Sequence, residues 1–541
     1  MCRPLPASRC VTRWPEPATR CASRSRRRWP WPRCGAARAR LATCLGRWAR
    51  GTKAGSDLAR RPPDRGGAPA PSIPHPGGLL STPDTDTLQA IDAYLNDNEA
   101  RFLDELFEFL RIPSVSTDPE NAADVRRCAE WLIEHLQGIG LSTVELHETP
   151  GHPIVYAEHL GKEGAPTLLV YGHYDVQPPD PLELWTTPPF EPQVREGKIF
   201  ARGATDDKGQ VFCHIKGLEA WLQTVGELPI NVKLLIEGEE EVGSVNLDHW
   251  IAAHKERLSC DAVVISDSSM FAPGIPSITY GLRGLAYLEM TVEGPDHDLH
   301  SGLFGGAIPN PINEIAGIIA RLHDDKGQVA IPGFYDDVIA LSDEERADFA
   351  ALPFDEAGFL EESGAAALRG ESGYTTLERI WARPTLDCNG IWGGFTGVGA
   401  KTVLPAKAHA KFSCRLVPGQ DPERVAEQAE AFVREIAHPS VRVTVTPHHG
   451  GKPVLTERDA PAVQAATRAL SRVWGKEAVF TRGGGSIPVV ATFSDILKAP
   501  TVLMGLGLED DRLHSPDEKF NLENFYAGVR ASAYLWDESQ S

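Results

Sequence analysis

Short apolar runs and amphipathic helical patterns alternate along the chain from about residue 84 onward. Apolar residues recur at helical spacing over residues 91–110, 123–137 and 210–225. Compact or alternating apolar runs predict strands at 142–146, 154–159, 167–171, 231–237 and 262–266. Because these strands alternate with helices, the pattern predicts an α/β fold with a mixed, largely parallel sheet that is flanked by helices.

The pattern changes after residue 281 and returns near residue 453. Alternating strands are predicted at 285–292, 408–416 and 441–445, and helices at 311–322 and from about 421. These elements predict an inserted α+β domain with two helices on one antiparallel sheet. A helix over 460–474, a strand over 501–504 and a helix over 522–535 then resume the first pattern. We therefore expect one domain in two parts, 83–282 and 453–541, interrupted by a second domain at 283–452.

The first 82 residues differ in composition from the rest of the chain. Residues 1–65 hold 17 Lys and Arg against three acids, and five of the ten cysteines. A transit peptide and a nucleic-acid-binding arm are both compatible with this charge. We expect instead a disordered or artefactual extension, such as one produced by a start codon placed too far upstream, because no helical or strand period is sustained.

Charge and hydropathy limit the partners of the remaining chain. The whole chain carries −20 and residues 1–65 carry +14, so the remainder carries −34, which argues against nucleic acid as its partner. No apolar run approaches the ~20 residues of a membrane span, so we expect no membrane partner. The five remaining cysteines have no paired spacing and predict buried free thiols in a reducing compartment, the cytoplasm.

Histidines and acids follow several of the predicted strands. Carboxyl ends of strands in one α/β sheet meet at one edge, so these residues are expected to converge. Two His and three carboxylates suit a pair of divalent ions, Zn or Mn, and a shared Asp206 would hold them ~3.5–4 Å apart. The candidate ligands are His173, Asp206, Glu240 or Glu241, Asp267 and His514.

A pair of ions that activates water also needs an acid outside the ligand set to move protons. Of Glu240 and Glu241, one is expected to bind metal while its neighbour faces the water. Asp175, two residues after His173, is expected to orient the imidazole.

Several sequence motifs resemble those of known enzymes. GHYDVQP (172–178), GATDDKG (203–209), EGEEEVGS (237–244) and SD (266–267) are similar to the dinuclear metallopeptidases, which include carnosinase, aminoacylase and succinyl-diaminopimelate desuccinylase. TYGLRG (279–284), DLHSG (298–302), GAKTVLP (399–405), RLVP (415–418) and GGSIP (484–488) resemble the branch of cytosolic nonspecific dipeptidase and carnosinase. The resemblance covers the chain from about Thr87 to the end.

The resemblance implies a zinc-peptidase-like catalytic domain that carries two ions, with Asp206 bridging them. It implies His173 and Asp267 on one ion, Glu241 and His514 on the other, Glu240 as general base and then acid, and Asp175 as the support of His173. One residue departs from the family pattern: Glu239 replaces an often apolar or neutral residue, which leaves open which glutamate binds metal.

The resemblance also implies how substrate is bound. The inserted domain is expected to act as a lid and to form a homodimer, in which His300 reaches the partner's site. Arg415, with Thr402 and Ser486 nearby, is expected to bind the terminal carboxylate of a small peptide. We therefore expect a metallopeptidase that cleaves dipeptides. The alternatives are an N-acyl-amino-acid deacylase or carboxypeptidase of the same superfamily, and a metal-free binding or scaffold protein.

Overall fold

The computed structural model describes residues 85–485 and 487–540. The extension expected at 1–82 and the predicted ligand Ser486 lie outside the described residues. The described helices, in chain order, are α1 (Thr85–Leu110), α2 (Ala122–Ile139), α3 (Lys208–Thr224), α4 (Leu247–Ala253), α5 (Ser301–Phe304), α6 (Pro311–Ala320), α7 (Asp343–Ala351), α8 (Glu356–Ser363), α9 (Thr376–Ala382), α10 (Pro422–Ile436), α11 (Pro461–Trp474), α12 (Pro488–Ile496) and α13 (Leu522–Glu538). None of them is both long and apolar enough to cross a bilayer.

The described strands form one large sheet and three smaller ones. They are β1 (Thr143–His147), β2 (Ile154–His159), β3 (Thr167–His173), β4 (Gln193–Arg195), β5 (Lys198–Phe200), β6 (Asn231–Glu237), β7 (Ala262–Ile265), β8 (Ser277–Leu282), β9 (Gly284–Glu293), β10 (Leu299–His300), β11 (Thr385–Gly393), β12 (Val403–Leu404), β13 (Lys407–Leu416), β14 (Arg442–Gly451), β15 (Val454–Leu455), β16 (Val479–Gly483), β17 (Thr501–Leu503) and β18 (Lys519–Asn521).

The large sheet has the order β1-β2-β6-β3-β7-β17-β8-β15, with β16 paired to β8. Its centre, from β6 through β3 and β7 to β17, is parallel, and its outer pairs are antiparallel except for β16 with β8. The predicted mixed α/β sheet is therefore confirmed. Its parallel strands β3, β6 and β7 bring their carboxyl ends to one edge, where the predicted site residues follow.

Helices cover both faces of this sheet. Successive residues of β2 point to opposite sides: Val155 and Ala157 pack in the core formed with α1, α2, α3, α11 and α13. Ile154 and Tyr156 pack in a second core formed with α4 and α12. A strand that is buried on both faces has a nearly continuous apolar sequence. These segments were therefore recognisable from the sequence.

The second sheet has the order β11-β13-β9-β14 and is antiparallel throughout. Strand β13 alternates strictly, so that Ala408, Ala410 and Phe412 face a core shared with α6 and α10. Helix α10 begins where Asp421 caps the N–H groups of residues 423 and 424, with Pro422 at its first position. Two helices on one antiparallel sheet were predicted; the domain boundaries at 282 and 452 stay a prediction.

The structure differs from the sequence-based predictions in three respects. Strand β3 extends beyond the predicted range 167–171 and continues through His173. The acid-rich region near 336–378 contains α7, α8 and α9, of which α7 and α9 begin with capping boxes at Ser342 and Thr375. All five described cysteines are free, as predicted, but of the predicted buried thiols Cys260 is only partly buried and Cys388 is exposed.

Candidate active site

His173 ends strand β3 and is fully buried. A Cβ atom at the preceding Gly172 would lie 2.6 Å from Asp207 Oδ2, so glycine permits the close approach of the next turn. The Nδ1 atom of His173 lies 3.0 Å from the carbonyl oxygen of Asp175, which accepts a hydrogen bond when Nδ1 is protonated. Nε2 lies 3.1 Å from Asp206 Oδ1, so it donates a hydrogen bond to that oxygen when it is protonated and offers its lone pair to a cation when it is not.

Asp206 lies in the turn before α3, and its peptide bond to Asp207 is cis. Glu518, which is 312 residues away along the chain, holds this turn. Its Oε1 atom accepts hydrogen bonds from the N–H groups of Thr205 and Asp206 at 3.0 and 3.2 Å. Its Oε2 atom accepts from Arg202 Nη1 at 2.6 Å and from the N–H of Gly203 at 3.0 Å. Four donors on one buried carboxylate therefore fix the backbone that presents Asp206.

His514 lies between the other oxygen of Asp206 and the carboxylate of Glu241. His514 Nε2 lies 2.9 Å from Asp206 Oδ2 and 3.6 Å from Glu241 Oε2. Gln177 Nε2 donates to Glu241 Oε2 at 2.7 Å. The backbone of His514 has φ 58°, in the left-handed region. That conformation costs a residue other than glycine about 1–3 kcal/mol and persists where the surroundings hold the side chain in place.

The five predicted metal ligands thus gather in two overlapping groups. His173, Asp206 and Asp267 form one group, and Asp206, Glu241 and His514 form the other. Within each group, one possible ligand atom from each residue lies within 4.8 Å of the others. Asp206 is common to both groups. The structure brings these residues together as the sequence predicted, and their binding of metal stays a prediction.

The acids around these two groups differ in their hydrogen-bond partners. Asp175 Oδ1 and Oδ2 accept the N–H groups of Glu240 and Glu241 at 3.2 and 3.1 Å, so Asp175 positions the backbone of both glutamates. Glu239 instead accepts two hydrogen bonds from Asn246 Nδ2, at 3.0 and 2.8 Å. Glu239 belongs to neither donor group, whereas Glu241 belongs to one, and this favours Glu241 over Glu239 as the predicted ligand.

Arg415 lies on β13 and pairs with Leu285 at the start of β9. A second guanidinium is nearby: burial and the positive charge of Arg415 lower the pKa of Arg283 to about 10. Arg283 Nε also donates to the carbonyl oxygen of Gly484 at 2.9 Å. Two adjacent guanidinium groups suit an anion such as a peptide carboxylate. Of the other predicted carboxylate ligands, Ser486 lies outside the described residues.

His300 and Thr402 lie together elsewhere in the second domain. Strands β10 and β12 pair and bring the two residues close, and both are exposed. Arg415 is opposite Leu285, but the chain leaves β9 toward His300 at Glu293, about 27 Å further along the strand. Within one chain, Thr402 therefore lies near the opposite end of the second sheet from Arg415, and the prediction that both bind one substrate stays a prediction.

Comparison with known proteins agrees with this arrangement. Residues 169–538 match the model described as Peptidase family M20/M25/M40. This chain belongs to the M20 peptidase family. The predicted family and fold class, and the prediction that the chain is a metal-dependent peptidase, are thereby confirmed.

Three relatives of this M20 peptidase illustrate the match. The Cys-Gly metallodipeptidase dug1 of Schizosaccharomyces pombe is 34% identical over 459 residues, which cover 82% of this chain and 96% of that protein. The Beta-Ala-His dipeptidase of Homo sapiens is 32% identical over 480 residues, covering 85% and 95%. The solved structure of the metallo-carboxypeptidase Sso-CP2 from Sulfolobus solfataricus has a TM-score of 0.72 at 33% identity, covering 81% of this chain and 99% of that chain.

The charges of the five predicted ligands suit divalent cations. Burial raises the pKa of Asp267 to about 7 and that of Glu241 to about 8, and the negative charge of Asp206 adds to both shifts. The hydrogen bond to Asp206 raises the pKa of His514 to about 9. Burial opposes the ionisation of Asp206, but its hydrogen bonds to His173 and His514 outweigh burial and lower its pKa. Divalent cations among these groups would favour the ionised form of every carboxylate.

Several supporting residues were missed from the sequence. Glu518, Gln177 and Arg202 follow no local pattern that marks them, because their partners lie far away in the chain. Asp207 was visible beside Asp206, and its Oδ2 atom accepts the N–H of His173 at 3.2 Å. Nothing in the sequence distinguished that supporting role from the role of its neighbour.

Proposed function

We propose that this chain is a dipeptidase that uses two divalent ions, Zn or Mn. The observation that carries the proposal is Asp206, a single carboxylate shared by two donor groups of imidazole and carboxylate atoms. Such a bridging carboxylate is the arrangement expected of a two-metal hydrolase. His173 and Asp267 would hold one ion, and Glu241 and His514 the other.

Each residue of the chain then has a distinct task. The ions, when bound, would supply Lewis acidity that polarises the amide carbonyl and activates water. Glu240 accepts a proton from that water and returns it to the leaving amine; burial raises its pKa, which suits a group that must both accept and donate a proton near neutral pH. The carboxylate of Asp175 accepts the N–H of Glu240 and so keeps that residue in place. The backbone carbonyl oxygen of Asp175 accepts a hydrogen bond from the imidazole of His173 and so orients the ring. Arg415 binds the terminal carboxylate.

The names of the relatives support a dipeptide substrate. Dug1 of S. pombe is a Cys-Gly metallodipeptidase and the human relative is a Beta-Ala-His dipeptidase, and this chain spans nearly the whole length of both. A second candidate is a carboxypeptidase, because Sso-CP2 is a metallo-carboxypeptidase of similar identity. A panel of dipeptides, longer peptides and N-acetylated amino acids separates these activities and the deacylase alternative.

We further propose a homodimer that forms through the second domain. His300 and Thr402 lie far along the second sheet from Arg415, so one substrate would meet all three only if a partner subunit supplied the first two. Two apolar side chains that closely follow His300 in the chain are exposed, Leu303 at 78% and Phe304 at 40%. Exposed apolar clusters of this kind are typical of subunit interfaces.

We also propose a cytoplasmic location, because the described cysteines Cys128, Cys213, Cys260, Cys388 and Cys414 are all free thiols. Fractionation of cells that express the tagged full chain tests this location.

The catalytic proposal is tested with Glu240→Gln. The variant should bind two Zn or Mn ions per chain, as measured by metal analysis, and lose at least about a hundredfold in kcat because proton transfer is removed. Glu239→Gln is the matched control, since Glu239 is paired with Asn246 and is expected to remain within a few-fold of the parent. Full activity of Glu240→Gln, or a parent protein that binds no metal and cleaves no dipeptide, would refute the proposal.

The dimer proposal is tested by complementation. A heterodimer of one Glu240→Gln and one His300→Ala subunit, purified through two different tags, should retain about half of the parent activity. One of its sites would combine an intact Glu240 with an intact His300 from the partner. If His300 acts within its own subunit, both sites are damaged and the heterodimer is as inactive as either homodimer. A parent that is monomeric in sedimentation also contradicts the proposal.

A further inference from the structure

Asp267 differs from the other predicted ligands in how its carboxylate is held. The side chains of His173, Asp206, Glu241 and His514 each form a hydrogen bond or an ion pair with another described residue. None of the described residues forms a hydrogen bond or an ion pair with the carboxylate of Asp267. The direction of this carboxylate therefore depends on the backbone that carries it.

That backbone turns sharply at Asp267. The N–H of Ser268 donates to the carbonyl oxygen of Ser266 at 2.7 Å, so Asp267 is the central residue of a three-residue turn. The carbonyl oxygen of Ser268 accepts the N–H of Gly507 at 3.2 Å. A Cβ atom at Gly505 would lie 2.6 Å from the carbonyl carbon of Ser268, so glycine permits the close approach of the two segments. One end of the turn is thus anchored to the segment that follows β17.

The other end of the turn is anchored by the side chain of Ser266, which is 2% exposed. Its hydroxyl donates to the carbonyl oxygen of Met504, directly after β17, at 2.7 Å. Nε2 of His214, on α3, lies 2.7 Å from the same hydroxyl oxygen. Nδ1 of His214 lies 3.1 Å from Oγ of Ser532 on α13. These hydrogen bonds form one buried chain that links α3 and α13 to the residue before Asp267.

The donor and acceptor roles in this chain follow from the number of protons. Ser266 has one hydroxyl proton, which it donates to Met504, so the hydroxyl oxygen accepts at the imidazole. A neutral His214 therefore carries its proton on Nε2 and donates to Ser266, while its Nδ1 atom accepts the hydroxyl proton of Ser532. Both ring nitrogens are satisfied. A fully satisfied polar network inside an apolar core fixes one arrangement of the elements that it joins.

We infer that His214 is a positioning residue of the metal centre, and that its hydrogen bond to Ser266 holds the turn that directs the Asp267 carboxylate toward an ion. The inference rests on the peptidase function proposed above, in which Asp267 and His173 bind one ion. Replacement of a residue that orients a metal ligand typically costs about 10–100-fold in metal affinity.

The test uses two amides that imitate opposite sides of the imidazole. Gln at position 214 can place an N–H donor where Nε2 lies and so keep the hydrogen bond to Ser266, whereas Asn reaches only the position of Nδ1. Zn²⁺ is titrated calorimetrically into the metal-free full chain, and Asp267→Asn protein identifies the binding step that belongs to the ion of Asp267. His214→Asn should weaken that step about 10–100-fold, and His214→Gln should stay within about threefold of the parent.

Two serine variants repeat the comparison on either side of the ring. Ser266→Ala removes the link to Asp267 and should weaken the same step as His214→Asn does; it keeps the test valid if His214→Asn does not fold. Ser532→Ala is the matched control, because it removes a buried hydroxyl from the same imidazole and leaves the hydrogen bond to Ser266 in place. The control should keep the affinity of the parent for Zn²⁺. Chemical denaturation records the stability of each variant.

Unchanged Zn²⁺ affinity in His214→Asn and Ser266→Ala would overturn the inference. An equal loss of affinity in all four variants would overturn it as well, because the network would then support only the fold. Failure of the proposed function looks different: the parent itself would bind fewer than two ions per chain or cleave no dipeptide, and the inference would fall with it. A parent that binds two ions and cleaves dipeptides, with a loss of affinity confined to His214→Asn and Ser266→Ala, supports both.

Discussion

Replacing Glu518 by Gln should weaken both the fold and the proposed metal centre. Burial raises the pKa of the Glu518 carboxyl, and the charge of Arg202 offsets part of that rise. The carboxylate accepts four hydrogen bonds, two of them from the N–H groups of Thr205 and Asp206. Glutamine keeps one oxygen, and its NH₂ group faces two donors. Loss of two charge-assisted hydrogen bonds beside a buried arginine should cost about 3–5 kcal/mol of stability.

The expected effect on the metal centre follows from the position of the groups that donate hydrogen bonds to Glu518. Glu518 fixes the turn that presents Asp206, so relaxation of the turn should weaken binding of Zn or Mn about 10–100-fold. Chemical denaturation measures the stability, and calorimetric titration of the metal-free protein measures the affinity. Glu371→Gln is the matched control, because Glu371 is also buried and accepts two hydrogen bonds from an arginine, Arg383, in the second domain.

The control should lose similar stability and keep the metal affinity of the parent. If Glu518→Gln also keeps that affinity, Glu518 supports only the fold and the reasoning about the Asp206 turn is refuted.

Two further predictions concern buried groups near the site. Asp175→Asn should lower kcat/KM about 10–100-fold and reduce metal content, because one of the two acceptors that hold the N–H groups of Glu240 and Glu241 becomes a donor; unchanged kinetics and metal content would contradict its supporting role. Burial lowers the pKa of His214 to about 4, well below its value near 6.5 in an unfolded chain. The unfolded state therefore binds more protons between these values, and stability should fall by about 3 kcal/mol as the pH drops from 6.5 to 4. His214→Gln should flatten that dependence in denaturation curves recorded across this range, and an unaltered slope would show that other groups cause it.

The central sheet was predictable because its strands are buried on both faces. Residues 154–159 and 231–237 are continuous apolar or alternating runs, and the structure places β2 and β6 at those bounds. The helices α7 and α9 were missed although Ser342 and Thr375 head capping boxes, since the acidic composition of that region obscured the helical signal. Strand β11 was missed as well, because most of its residues are exposed and give no apolar period.

The site was predictable to the extent that its residues directly follow strands. His173 ends β3, and Asp267 lies two residues after the end of β7, so topology alone brings them to one edge. His514 lies 11 residues after the end of β17 at Leu503, so topology alone supports its place among the candidates less well, and the resemblance was needed to assign it to an ion. The position of Thr402 relative to Arg415 could not be obtained from motifs, because it depends on the length of the second sheet and not on order in the chain.

The hydrogen bonds of the acids at this edge separate those that support the site from those that would bind ions. Glu518 accepts four hydrogen bonds and Asp175 accepts two N–H groups, so donors of the chain already stabilise their charges. Asp267 accepts no hydrogen bond from the described residues, and Asp206 contacts chiefly the imidazoles of His173 and His514. A carboxylate satisfied by amides gains little from a cation, whereas one that faces only imidazole nitrogen and other carboxylates is stabilised by it strongly. This difference would allow so acidic an edge to hold its shape and still offer ligands for the two ions proposed above.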